Sequence, residues 1–221
     1  MERQIKKSRE EKILASAEKI CFQKGYPNFK MSDISKEANC SKTTLYSYFK
    51  SKESLYMAIT HKAFITLLDY YYDKIEGNSN ENGYETSYNL FYSYIKFSED
   101  YYDYYSILLD YLTFIRKATR DSDSNNLMLP AIKDSVYLKK VMDIHNIPRR
   151  LIVTEIKRGQ QDGSIINSNK PEMIYLTIWS LIIGYSKLNP NSGNTIFKVN
   201  PHKWKAYILE NVKNILLSNS D

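Results

Sequence analysis

Apolar residues recur three and four apart in stretch after stretch of this chain, and no segment shows the strict alternation of a half-buried strand. That period limits the fold to packed helices. Ile13, Ala17, Ile20 and Cys21 mark one stripe over residues 8–24, which Gly25 ends ahead of the turn YPNF. MSDISKEA (31–38) repeats the pattern through Met31, Ile34 and Ala38 and stops at Asn39, a residue that tolerates left-handed backbone. Ser41 is placed to cap a third helix, KTTLYSYF, and Ser51 a fourth that begins at Lys52 and runs through Leu55, Ile59, Ala63 and Leu67 toward Ile75. Beyond the polar break EGNSNENG (76–83), helices are expected over about 84–98, 100–118, 128–145 and 148–161, the last with Pro148 near its start. Two more, 171–188 and 201–218, open at Pro171 and Pro201 on either side of the loop NPNSGNTIFKVN. The expected fold is all-α.

Charge divides the chain unevenly. The net charge is +6, and residues 1–60 hold 12 Lys and Arg against 7 Asp and Glu, whereas residues 61–221 hold 19 against 18. A basic module on a near-neutral body points to a polyanion-binding head, because Lys and Arg gain affinity by releasing counterions from phosphates. The longest nearly apolar run, IYLTIWSLIIGYSKL (174–188), falls short of the roughly 20 residues a bilayer span needs, so no membrane segment is expected. MERQIKKSREEKI has no apolar core of a secretory signal, which leads to a cytoplasmic expectation. Cys21 and Cys40 lie in no CxxC pattern and read as reduced structural residues. His61, His145 and His202 show no ligand spacing, and there is no phosphate loop or nucleophile–base constellation. No metal site, cofactor or catalytic residue is therefore expected, and an enzyme is not.

A helix as short as KTTLYSYF is unstable alone in water, so its neighbours must hold it. Leu45 and Phe49, one turn apart, dock it on the first two helices and leave Lys42, Thr43, Thr44, Tyr46 and Ser47 on the outer side. Units of this kind present the second helix to the DNA major groove. Thr43 and Thr44 each offer a hydroxyl and a methyl to base edges, while Tyr46, Ser47 and Tyr48 can reach flanking phosphates. Lys52 opens the fourth helix, where its ammonium and the free N–H groups of that helix end both favour a phosphate.

Residues 9 to about 59 resemble the DNA-binding head of the tetracycline-repressor (TetR) family. The resemblance rests on ILASAEKICFQKGY followed by MSDISKEANCSKTTLYSYFKSKESLYMAI. It implies DNA-facing roles for Ser41, Lys42, Thr43, Thr44, Tyr46, Ser47, Tyr48 and Lys52. Three residues depart from the family's habit: Lys30 where a capping threonine is common, Asn39 where glycine is common, and Ser47 where histidine is frequent. Lys30 is expected to weaken the start of the second helix.

The resemblance also implies an architecture: a three-helix helix-turn-helix head (1–60) joined by a linking helix to a larger helical effector and dimerisation domain (61–221). Residues 171–188 and 201–218 would pair with their symmetry mates in a homodimer on a palindromic duplex. RGQQDGSI (158–165) is similar to a segment family members carry before the penultimate helix, and a glycine-stopped helix accounts for it equally well. Twelve of the 20 tyrosines lie between Tyr70 and Tyr111. A buried tyrosine hydroxyl needs a partner, so this cluster suits either a core or the wall of a ligand cavity. Tyr92, Tyr105, Tyr111 and Trp179 are the candidate wall, with Glu155 as counter-charge to a cationic ligand or else simply exposed. The functional expectation is a ligand-responsive transcriptional regulator, a repressor released by a hydrophobic or aromatic, optionally cationic, effector. The alternative is a DNA-binding architectural or cell-division protein of the same fold without an effector.

Overall fold

The computed structural model describes residues 2–77, 80–120, 135–188 and 199–218. Among them every regular element is helical: α1 (Glu2–Asn28), α2 (Met31–Glu37), α3 (Lys42–Tyr48), α4 (Lys52–Gly77), α5 (Gly83–Asp100), α6 (Tyr102–Arg120), α7 (Val136–Ile144), α8 (Ile147–Asp162), α9 (Pro171–Leu188) and α10 (Pro201–Leu217). The helix expected over 128–145 is seen from Val136, and residues 128–134 lie outside the described residues, as does most of the loop at 189–200. α1 begins earlier than its apolar stripe, at Glu2. Its first turns are rich in Glu, Arg, Lys and Gln, which favour helix by propensity and leave no period to read.

Two compact units divide the chain: Met1–Ile65 with Asp103–His145, and Thr66–Tyr102 with Asn146–Asp221. α4 gives its first half to one and its second half to the other.

In the first unit α2 packs on α1 and α3 on α2. The core holds Ile13, Ala17, Phe29, Ile34, Leu45, Phe49, Leu55 and Ile59, joined by Tyr105, Leu108 and Tyr111 of α6 and Val141 of α7. Glu18 of α1 is buried in this apolar setting and accepts hydrogen bonds from Lys62 of α4 (2.6 Å) and the Tyr104 hydroxyl of α6 (2.9 Å). Its charge is thus paired and hydrogen-bonded, the condition for burying a carboxylate. Burial pushes the Cys21 thiol up to about 12, which makes it an inert packing group.

In the second unit α5 lies against α8, α9 and α10, with α9 also touching α8 and α10. The α5–α8 crossing is made by glycines. A Cβ on Gly83 would stand 2.0 Å from the Gly159 nitrogen, so the two backbones touch where no side chain fits. Arg158 fastens the same crossing by donating to the Glu81 carbonyl (3.0 Å) and the Thr86 hydroxyl (2.9 Å). Gly163 ends α8 in the left-handed region (φ 78). Asp162 then accepts from the N–H groups of Gly83 and Ser164, both at 2.9 Å.

Candidate nucleic-acid interface

The helix-turn-helix is built from short-range rules. α1 breaks at Gly25 (φ 71), and the chain re-enters through Phe29, which is buried. α2 starts at Met31 after Lys30, whose side chain has no acceptor to offer as a cap. Asp33 makes up half the deficit by accepting the Lys30 N–H (3.3 Å), and the Lys24 ammonium beside it (2.8 Å) holds its carboxyl below the usual range. At the turn Asn39 takes φ 47, the left-handed conformation expected of it.

α3 is closed by its own residues. The Ser41 hydroxyl accepts from the Thr44 N–H (3.0 Å) and shares a hydrogen bond with the Thr44 hydroxyl (2.8 Å). Ser47 donates to the Thr44 carbonyl (2.7 Å). Leu45 and Phe49 are both fully buried, the two anchors the helix requires. Lys42, Thr43, Tyr46 and Ser47 are exposed, and Thr44 and Tyr48 are half-buried. Thr43 and Tyr46 therefore present unengaged hydroxyls, whereas the Thr44 hydroxyl is committed to the cap and its methyl is what remains for a base.

Ser51 caps α4 by accepting from the Ser54 N–H (3.0 Å). Lys52 is more entangled than its sequence position implies. Its ammonium donates to the Pro27 carbonyl (3.2 Å) and lies over the rings of Tyr26 (4.7 Å) and Phe29 (4.4 Å). One of its three N–H groups is spent inside the head. The remaining two are available to a phosphate from a position the rings hold fixed.

A buttress behind α3 was invisible in the sequence. Tyr137 of α7 stacks on Phe49 (5.9 Å), donates its hydroxyl to Glu10 of α1 (2.6 Å) and meets His61 edge-on (6.1 Å). Ser135, the N-cap of α7, is bonded to Ser54 at 3.1 Å. Only a helical period over 128–145 was readable there, not the start at Ser135 nor the partner of Tyr137.

The five candidate effector residues fall in different units. Tyr105 and Tyr111 belong to the unit that contains the head, and both are buried. Tyr111 packs edge-on to Phe64 (5.5 Å), and burial pushes its hydroxyl up to about 12. Tyr92, Glu155 and Trp179 belong to the other unit. Trp179 stacks on Tyr175 (6.0 Å), which in turn stacks on Phe91 (6.3 Å). Tyr92 has the Lys205 ammonium over its ring (5.3 Å), and Lys205 is ion-paired with Glu99 (2.6 Å). Glu155 is ion-paired with Arg158 at 2.6 Å. Beside Tyr92, the Ser93 hydroxyl is buried with no partner among the described residues. Those residues include no cluster able to hold a metal ion, and no helix long and apolar enough to cross a membrane.

Residues 13–59, from the buried Ile13 of α1 through α2, the turn and α3 to Ile59 of α4, match the model of the bacterial regulatory proteins of the tetR family. Residues 13–59 are thus a DNA-binding head of the tetR family. A helix-turn-helix transcriptional regulator of Bacillus subtilis, the uncharacterised YuxN, is 40% identical over 68 residues, 31% of this chain and 21% of that protein. The chain thus matches about a fifth of that relative's length. Fold similarity reaches further. A tetR transcription regulator from Haloarcula marismortui has a TM-score of 0.66 at 12% identity, over 95% of this chain and 97% of that one. The regulator FadR of Bacillus subtilis, in complex with stearoyl-CoA, has 0.58 at 16%, over 93% and 96%. At these identities the likeness is one of fold. The tetR family is one of DNA-binding transcriptional regulators, not enzymes, and α2–α3 is its helix-turn-helix.

Proposed function

We propose that this protein, with its tetR-family head, is a ligand-responsive repressor that binds a palindromic DNA operator as a homodimer in the cytoplasm. The observation that carries the reading is the outer face of α3. Lys42, Thr43 and Tyr46 stand exposed on a helix whose cap and anchors need none of them, and Ser47 is exposed beside them. Lys42, Tyr46, Ser47, Tyr48 and Lys52 hold phosphates, Thr43 reads a base edge by hydroxyl and methyl, Thr44 does so by methyl alone, and Ser41 sets the helix start.

Dimerisation through α9 and α10 is supported by apolar side chains left in solvent. Met173 and Leu176 of α9 and Tyr207 of α10 are about half exposed or more, and Ser180 continues the α9 face one turn on from Leu176. A second copy would cover them. In functional terms residues 1–60 form the DNA-binding head, and 61–221 serve effector binding and dimerisation. Tyr92, Glu155 and Trp179 in one unit, and Tyr105 and Tyr111 in the other, are proposed as effector contacts, each set within its own unit. Lys205 over Tyr92 and Arg158 on Glu155 supply cations from within the chain. The effector is therefore proposed as apolar or aromatic rather than cationic.

In-vitro selection from a random duplex library, followed by footprinting, is the test. A protected palindrome bound by a dimer is expected, with Thr43→Ala costing on the order of 1 kcal/mol at particular base pairs. A monomer in sedimentation, or enrichment of no sequence, would overturn the reading. Release of the operator by members of a hydrophobic ligand panel is expected from the effector proposal, since a ligand shifts DNA binding only by its differential affinity for the two states.

A further inference from the structure

The cations of the head fall into two sets. Lys19 is paired with Glu37, Lys24 with Asp33 and Lys62 with Glu18. Lys6, Lys7, Arg9, Lys12, Lys30, Lys36, Lys42 and Lys50 are exposed, and their side chains form no ion pair among the described residues. Three of these, Arg9, Lys12 and Lys36, line one continuous depression. A groove of about 630 Å³ runs along the start of α1 past Arg9 and Lys12 to Asn39 and Cys40 at the turn. A second, of about 430 Å³, continues from Arg9 and the turn past Lys36 to Ser41 and Thr44 at the start of α3. Arg9 lines both, and neither has a carboxylate in its wall.

From these observations we infer that Arg9, Lys12 and Lys36 form a phosphate track, a second DNA contact in which the sugar-phosphate backbone of the duplex follows the groove from α3 to the start of α1. The inference rests on the DNA-binding reading above and extends it to residues outside α3. A polyanion is the occupant that a groove of unpaired cations without acids selects. The backbone N–H groups of the turn do not compete for it. Asn39 donates to the Lys36 carbonyl (3.1 Å) and Cys40 to the Ser35 carbonyl (3.0 Å). The guanidinium, the ammoniums, the Gln4 and Asn39 amides and the Ser8 hydroxyl are the donors left. A planar guanidinium at the junction suits bidentate capture of one phosphate, with the lysines as point charges on its neighbours. Such contacts carry no base information; they fix register and add affinity on any duplex.

The test compares Arg9→Ala and Arg9→Lys with Lys19→Ala, a cation already paired in the fold. Each protein is titrated over a series of salt concentrations with a random-sequence duplex of 30 base pairs and, separately, with the selected palindrome. Arg9→Ala is expected to weaken both complexes alike, about fivefold at 0.15 M salt, and to flatten the log K against log salt slope by about 0.9, the counterion release of one phosphate. Arg9→Lys should retain most of the slope, and Lys19→Ala should leave it unchanged. An Arg9→Ala slope equal to wild type, or a Lys19→Ala loss as large, overturns the track. The random duplex reads the groove without an operator, so failure to select any palindrome would strike the repressor reading separately. Circular dichroism of the exposed-site variants checks that the helices are intact.

Discussion

In the unit that contains the head, tyrosine hydroxyls reach across helices to carboxylates: Tyr26 to Glu53, Tyr56 to Asp110, Tyr104 to Glu18 and Tyr137 to Glu10. The other unit has such bonds too, Tyr185 to Glu99 for one, but its central crossing is two backbones in contact at Gly83 and Gly159. A side-chain pair can lengthen, rotate or take up a water when a neighbour changes. Touching backbones have no such freedom. The same all-helical architecture is adjustable where long side chains span the gap, and steeply intolerant where nothing does.

The largest effect is therefore expected from Gly83→Ala. Its new Cβ would meet backbone atoms of Arg158 and Gly159 and force α5 and α8 apart, at roughly 3 kcal/mol or more. Gly159→Ala meets first the side chain of Ile165, which can shift, and should cost less. Urea midpoints for the two variants decide this, and equal losses would mean that the crossing is not the rigid point. Tyr104→Phe comes next. It removes one of the two hydrogen bonds to buried Glu18 while Lys62 keeps the other, for a loss of about 1.5 kcal/mol by the same measurement. A loss as large as that of Gly83→Ala would erase the distinction between the two units.

The smallest effect is a pH dependence at His61. Burial, reinforced by the Lys140 ammonium, lowers its pKa below 6.5. The unfolded chain then binds more protons than the folded one between that lowered value and 6.5, so stability rises with pH across the window. The contribution is complete above about 6.5 and is lost as pH falls through the lowered folded value. Comparing urea midpoints at pH 7.5 and pH 5.5 for the wild type and His61→Gln should show a shallower acid loss in the variant. An unchanged loss would remove His61 from the account.

The head was legible because its rules are local. Gly25, Asn39, Ser41, Ser51, Leu45 and Phe49 each act within a turn or two of themselves, and each stands where its chemistry placed it. The rest depended on partners far along the chain. Nothing near Lys52 announces that Tyr26 and Phe29 will flank its ammonium. Nothing near Tyr137 announces Phe49, and the glycines of EGNSNENG and RGQQDGSI read as turn punctuation rather than as two halves of one crossing. Periodicity gave no means of knowing that Lys205 and Arg158 would provide the cations at Tyr92 and Glu155.

The self-sufficiency of α3 has a consequence for how such a protein can change its target. Its cap is Ser41 with Thr44, and its anchors are Leu45 and Phe49, so Lys42, Thr43, Tyr46 and Ser47 carry almost none of the folding free energy. On the roles proposed above, substitution at Thr43 would change the base pair read, and substitution at the other three the affinity for any duplex, at almost constant stability. A duplicated copy of the gene could drift to a different set of promoters one exposed residue at a time, never passing through an unfolded intermediate, and a laboratory library confined to the same four codons would keep most of its members folded.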